Sequence, residues 1–233
     1  MIRGPAKISP IDLGELRLAR ALGLVAKDHL GRLEAFQRDG VESEESPEDT
    51  DRMVRTMTEL LRRSLPGPRG GRWELGEMDL IGIGGSFYLK ESRTQARAHF
   101  MIRLGTFTLS LSLDRAEYLG RARDAFWLNL ASLTRTGELT FEPSAIPEPL
   151  WDAKAAVGGR PNHAVVDLMR FWNLHLTERD PFMDFGSLEV AWSLDIPAEP
   201  LSRSIKETLE VFYRLSYELH RLERQGKRGR ARK

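Results

Sequence analysis

The feature that most constrains the fold of this chain is a strict alternation. Phe107, Leu109, Leu111 and Leu113 are separated one by one by Thr108, Ser110 and Ser112. Successive side chains of a β-strand point to opposite faces, so a period of two makes one side apolar and the other polar; a helix would spread the same residues around its circumference. The preceding stretch keeps the rhythm, with Phe100, Ile102 and Leu104 alternating with His99, Met101 and Arg103. Gly105-Thr106 supplies a turn between the two, as Gly84-Gly85 does upstream, and the run from Trp73 to Leu113 predicts four antiparallel strands. Leu188, Val190, Trp192 and Leu194 alternate with Ser187, Glu189, Ala191 and Ser193 in a later strand, and Leu139 with Phe141 marks a short one.

Helical signals separate and follow these strands. Asp114 and Glu117 form a capping box for a helix to about Leu133, with Gly137 as its stop. Asn162 is placed to cap a second helix, whose Val165, Met169, Trp172 and Leu176 fall on one stripe. A third, from Pro200 to about Arg224, presents Leu201, Ile205, Phe212, Leu215, Leu219 and Leu222 at near-heptad spacing. Strands grouped early and helices following them predict an α+β fold: an antiparallel sheet of about five or six strands with helices packed mainly on one face. The opposite face then carries His99, Arg103, Thr108, Ser110 and Ser112, together with Glu189 and Ser193, and meets water or a partner. These first five are the expected partner-binding residues.

The ends of the chain read differently. Residues 1–65 are expected to form a helical N-terminal arm, in which Leu18, Leu22, Val25, Leu33 and Phe36 recur at helical spacing. The segment 39–51 holds seven acids and no base, which makes it a self-repelling linker. Ser46, Pro47 and Asp49 start a further helix, and the prolines and glycines of 65–72 end it. The α+β domain spans 70–225. Beyond it, Gly226 and Gly229 predict a flexible basic tail, 226–233; the last thirteen residues carry seven bases against one acid. Lys227, Arg228, Arg230, Arg232 and Lys233 are candidates for contact with nucleic-acid phosphates, although no aromatic is interleaved among them to stack a base. The acidic 39–51 segment, in the same chain or a second copy, is a rival partner for that tail.

Composition sets the remaining bounds. With 233 residues, 41% of them hydrophobic, the chain can bury a substantial core, and a net charge of +1 selects no partner by its overall field. The absence of cysteine excludes disulfides, a thiol nucleophile and zinc-thiolate sites. The opening residues lack an apolar signal region, and the uncharged stretch Ala21 to Ala26 is far shorter than the ~20 residues that cross a bilayer. Together with 28 arginines against 7 lysines, as a GC-rich genome would encode, this predicts a bacterial cytoplasmic protein with no membrane contact.

No residue set claims catalysis. The run IGIGGSFYLK and the Asp184-Phe185-Gly186 triplet imitate kinase motifs, but the third glycine and a catalytic loop are missing, so the glycines are read as a hairpin turn. Asp79 and Lys90, with Glu91, follow the order of a magnesium-dependent nuclease; Tyr88 stands where the second acid is required, and Glu91 falls on the opposite face of a strand. Three arginine-before-histidine spacings match helical ribonucleases about as often as 28 arginines and five histidines do by chance. His29 and His163 lack partners at metal-ligand spacing and read as structural. No cofactor is expected. The function expected is a non-enzymatic interaction subunit, adaptor-like or chaperone-like, that offers the polar sheet face or its long terminal helix to a protein partner or a second copy; the alternative is a metal-dependent nuclease or other nucleic-acid-processing protein built on Asp79, Lys90 and Glu91 with the basic tail. The adjacent pairs Phe126-Trp127 and Phe171-Trp172 diverge by about 100° on a helix; burial inside a layered monomer is expected, the alternative being that one member of each faces another subunit.

Overall fold

The computed structural model describes residues 61–67, 73–78, 84–89, 97–103, 106–113, 116–143, 159–177, 185–193, 196 and 198–230. Residues 1–60, which hold the expected N-terminal arm and acidic linker, lie outside them; 61–63 are helical. The six strands are β1 (Trp73–Met78), β2 (Gly84–Leu89), β3 (Arg97–Arg103), β4 (Thr106–Ser112), β5 (Glu138–Pro143) and β6 (Gly186–Ser193). They form one antiparallel sheet in the order β1-β2-β3-β4-β6-β5. The chain therefore meanders through four strands, leaves through helical segments, returns as the edge strand β5, and finally inserts β6 between β4 and β5.

The alternation expected in the sequence is realised as a division between two faces. Phe87, Ala98, Phe100, Phe107, Leu109, Leu111, Leu139, Phe141, Leu188, Val190 and Trp192 are buried in one core. On that side a diagonal row of rings crosses four strands, Phe87 to Phe100 to Phe107 to Trp192, with centroids 5.5 to 5.9 Å apart. Contacts of this kind add about 0.5–1.5 kcal/mol per pair beyond area burial.

The helices are α1 (Asp124–Ser132), α2 (Ala164–Thr177) and α3 (Ala198–Arg230). Residues 201, 205, 212, 215, 219 and 222 of α3 are apolar and buried, the stripe expected from their spacing, and Leu209 joins them. Two indole N–H groups anchor the helical layer to the sheet region: Trp73 Nε1 donates to Leu209 O at 3.1 Å, and Trp192 Nε1 donates to Thr136 O. Thr136 in turn accepts a hydrogen bond from Thr208 of α3, Oγ1 to Oγ1, at 2.8 Å.

Several local expectations are corrected. The single helix from Asp114 to Leu133 is a 3-10 turn, Ala116–Arg121, followed by a break and then α1, with a second 3-10 turn at Leu133–Arg135. The break lies beside Gly120, where a Cβ would fall 2.6 Å from the Trp172 ring; the glycine weakens the helix and admits the indole of α2. Asn162 does not cap α2. It adopts φ 59°, donates its N–H to Leu139 O at 2.6 Å and accepts the Leu139 N–H on Oδ1 at 3.3 Å. With Gly159 N donating to Phe141 O at 2.9 Å, it covers part of the outer edge of β5, a row of groups otherwise open to another strand.

The buried stripe of α2 is likewise Ala164, Asp167, Leu168 and Phe171, whereas Val166 and Met169 are each 46% exposed and Val165 and Trp172 half-buried. The Arg160 guanidinium makes a two-point ion pair with the fully buried Asp167 carboxylate and so turns that face inward. In both aromatic pairs the phenylalanine is buried and the tryptophan sits at the rim. Finally, α3 continues through Gly226 and Gly229 to Arg230 instead of ending near Arg224. Two glycines cost a helix about 1 kcal/mol each, but the intervening lysine and arginines are good helix formers, and positive charge near a helix C-terminus is favoured by its dipole.

Candidate functional site

The polar face of the sheet is built by strand register. Across β2, β3, β4, β6 and β5, the row Ser86, His99, Ser110, Glu189 and Thr140 stands side by side. The next row is Gly84, Met101, Thr108, Ala191 and Glu138. Toward the other end, Glu74 opposes Tyr88 and Tyr88 opposes Arg97, while Ser112 opposes Ser187, which opposes Glu142. Side chains on this side are exposed or half-buried, in contrast to the core on the other.

Short side chains, Ser86, Thr108, Ser110, Ala191 and Ser187, alternate across the face with the longer His99, Met101 and Glu189. Further long groups stand on β2 and β5. Tyr88 is 40% and Met101 42% exposed, on either side of the exposed His99, and the Tyr88 hydroxyl donates to Glu74 Oε2 at 3.0 Å. Arg97 lies on β3, with Glu74 on β1 to one side and Glu189, Glu138 and Glu142 on β6 and β5 to the other. Within the face Ser110 Oγ donates to His99 O at 3.4 Å and Ser187 Oγ to Glu189 Oε1 at 3.4 Å, which leaves hydroxyl lone pairs for a partner. Five strand spacings and the length of a seven-residue strand give a footprint of about 24 Å by 20 Å. That projected area, about 480 Å², is somewhat over half of the ~800 Å² that one partner contributes to a standard protein interface and suits a small or transient one.

The expected binding residues His99, Thr108, Ser110 and Ser112 are brought together here, and Arg103 is placed by its backbone opposite Thr106 at the end of β3; its side chain lies outside the described set. Tyr88 and Met101 share this face and were not among the expected residues. Their signal was available, since each occupies the polar phase of an alternating strand while carrying a large apolar side chain.

Asp79, Lys90 and Glu91 lie outside the described residues. Their described neighbours Met78 and Leu89 stand at opposite ends of the β1–β2 ladder, where Leu89 pairs with Trp73, roughly 15 Å from Met78 along the strand. Among the described residues no group of three or more His, Asp or Glu is gathered as a metal site. No helix among them is long and apolar enough to cross a membrane. Of the basic candidates, Lys227, Arg228 and Arg230 belong to the last turns of α3, and Arg232 and Lys233 lie outside the described residues.

Comparison with known proteins finds no matching family model, no matching curated protein and no matching solved structure.

Proposed function

We propose that the chain is a non-enzymatic interaction subunit, adaptor-like or chaperone-like, that docks a protein partner on the polar face of its sheet within a cytoplasmic assembly. The observation that carries this reading is the composition of that face: small residues such as Thr108, Ser110 and Ala191 interspersed with the exposed Tyr88, His99 and Met101. Small residues let a partner backbone approach. Tyrosine and methionine are enriched at the core of interfaces because each buries apolar area, and arginine beside them adds a directional charged contact. The three acids of β5 and β6, against a single acid on β1 and Arg97 of β3, favour a partner that brings positive charge to the β5–β6 side.

The test is co-purification of the full chain with partners from cells that make it natively, comparing wild type with Tyr88→Ser, Met101→Glu and the control Leu128→Ser on α1. Leu128 is 71% exposed and belongs to a helix, away from the sheet face. A partner retained by wild type and the control but lost from both face variants supports the proposal. Retention of every partner by both face variants rejects it.

A further inference from the structure

α3 has a second surface that the docking face does not use. Opposite its buried stripe, at helical spacing, lie Glu199, Arg203, Lys206, Glu210, Tyr213, Arg214, Tyr217, Arg221 and Arg224. The stripe changes character halfway along. Residues 198–212 carry two bases against three acids, whereas residues 213–233 carry eight bases against two acids. Those two acids are already engaged: Glu218 pairs with Arg221, and Glu223 Oε2 lies 3.6 Å from His220 Nδ1. Arg214 and Arg224 are exposed.

Two tyrosines stand within this basic half. Tyr217 is 51% exposed, and its ring lies 6.1 Å from that of Tyr213, inclined by 32°. Tyr213 is half-buried against the core, and Arg214, Arg221 and Arg224 fall at helical spacing on the same side of α3 as Tyr217. The helix backbone then continues to Arg230 and includes Lys227 and Arg228. The tail sequence alone contains bases without an aromatic; the fold adds the aromatic one turn earlier on the exposed side.

We propose that the C-terminal half of α3 binds single-stranded nucleic acid, with Tyr217 stacking an unpaired base and Arg214, Arg224 and the following basic turns holding phosphates. Charge complementarity selects a polyanion. The exposed ring selects an unpaired base over a duplex, whose bases are already stacked on one another. The surface is distinct from the sheet face, so both can be occupied at once.

The experiment is fluorescence anisotropy of the full chain on labelled 20-nucleotide oligo-U and oligo-dT, with a 20-base-pair duplex as control, across a salt series. Each phosphate neutralised on a single strand contributes about 0.7 to the slope of log K against log salt, so four contacts give a slope of about −3. Tyr217→Ala is expected to weaken single-strand binding about tenfold with the slope unchanged, and Tyr217→Phe to retain it. The pair Arg214→Gln and Arg224→Gln is expected to reduce the magnitude of the slope by about 1.4. The proposal is overturned if single strands do not bind at 50 mM salt, or if Tyr217→Ala binds like wild type. It is also overturned if the duplex binds as tightly as oligo-U, or if a peptide of residues 39–51 binds the same stripe more tightly than the oligonucleotides, which would identify an acidic protein segment as the occupant.

Discussion

At the scale of single residues, two positions hold parts of the molecule together in ways a composition table does not reveal. Gly137 follows the turn after α1, and a Cβ there would lie 2.6 Å from Trp192 Nε1, 2.8 Å from the Ala191 carbonyl oxygen and 2.8 Å from Val190 Cγ1. Two of those atoms belong to a packed indole and a backbone that cannot move independently. Gly137→Ala is expected to lower stability by about 1–3 kcal/mol through overpacking, seen as a reduced thermal midpoint, and an unchanged midpoint would contradict the packing described. The second position is Asp167, whose carboxylate is fully buried and held by Arg160. Removing only the cation leaves a buried charge without its partner, so Arg160→Ala is expected to cost about 1–3 kcal/mol. Arg160→Ala with Asp167→Leu is expected to recover part of that loss, because the charge that needed a partner is gone. Urea unfolding of the single and double variants checks the sign. Asp167 also explains why the inward face of α2 was misread: a stripe of Ala164, Asp167, Leu168 and Phe171 looks less apolar than Val165, Met169, Trp172 and Leu176, and the Arg160 pairing that settles the rotation is tertiary.

At the scale of elements, the strands were legible and the helix ends were not, for one physical reason. A period of two has no intermediate setting: shifting a strand by one residue exchanges its two faces, so Phe107, Leu109 and Leu111 could be inward only as a set. A helix has no such lock. The chain around Gly120 satisfied a capping pattern yet broke to admit Trp172, and α3 ran through two glycines that each read as a stop. The polar face followed the same division. His99, Thr108, Ser110 and Ser112 were placed on one side of the sheet by alternation alone, whereas the tyrosine and arginine stripe of α3 lay within the helix expected up to Arg224 but was overshadowed by the apolar stripe and by the bases beyond it. The strand account makes a direct prediction. Leu109 is fully buried and Ser110, its neighbour in β4, is on the polar face. Leu109→Lys is expected to cost about 4 kcal/mol or more, because it buries an unpaired charge and removes core volume, while Ser110→Lys is expected to stay within about 1 kcal/mol. Similar losses at both positions would refute a one-sided sheet. The outer edge of β5 gives a second test: Asn162→Ala removes the Oδ1 acceptor and places alanine at positive φ, and is expected to cost about 1–2 kcal/mol. Faster amide exchange at Leu139 would accompany it.

At the scale of the whole molecule, a helical layer joins one side of an antiparallel sheet in a shared core, and the other side keeps a broad polar face. The two outward surfaces differ in chemistry: hydroxyls with acids and an arginine on the sheet, arginine with tyrosine on α3. The two proposed activities therefore call for separate variants, one set on each surface. The central claim, that the polar sheet face is the protein-docking surface, is tested most directly by placing a photo-crosslinking residue at Thr108, with Leu128 of α1 as the control position, and irradiating cells that make the protein natively. The account predicts a discrete protein adduct from position 108 that disappears when Met101→Glu is added, and none from position 128. A discrete adduct from position 128 with none from position 108, or no adduct from either, would contradict it.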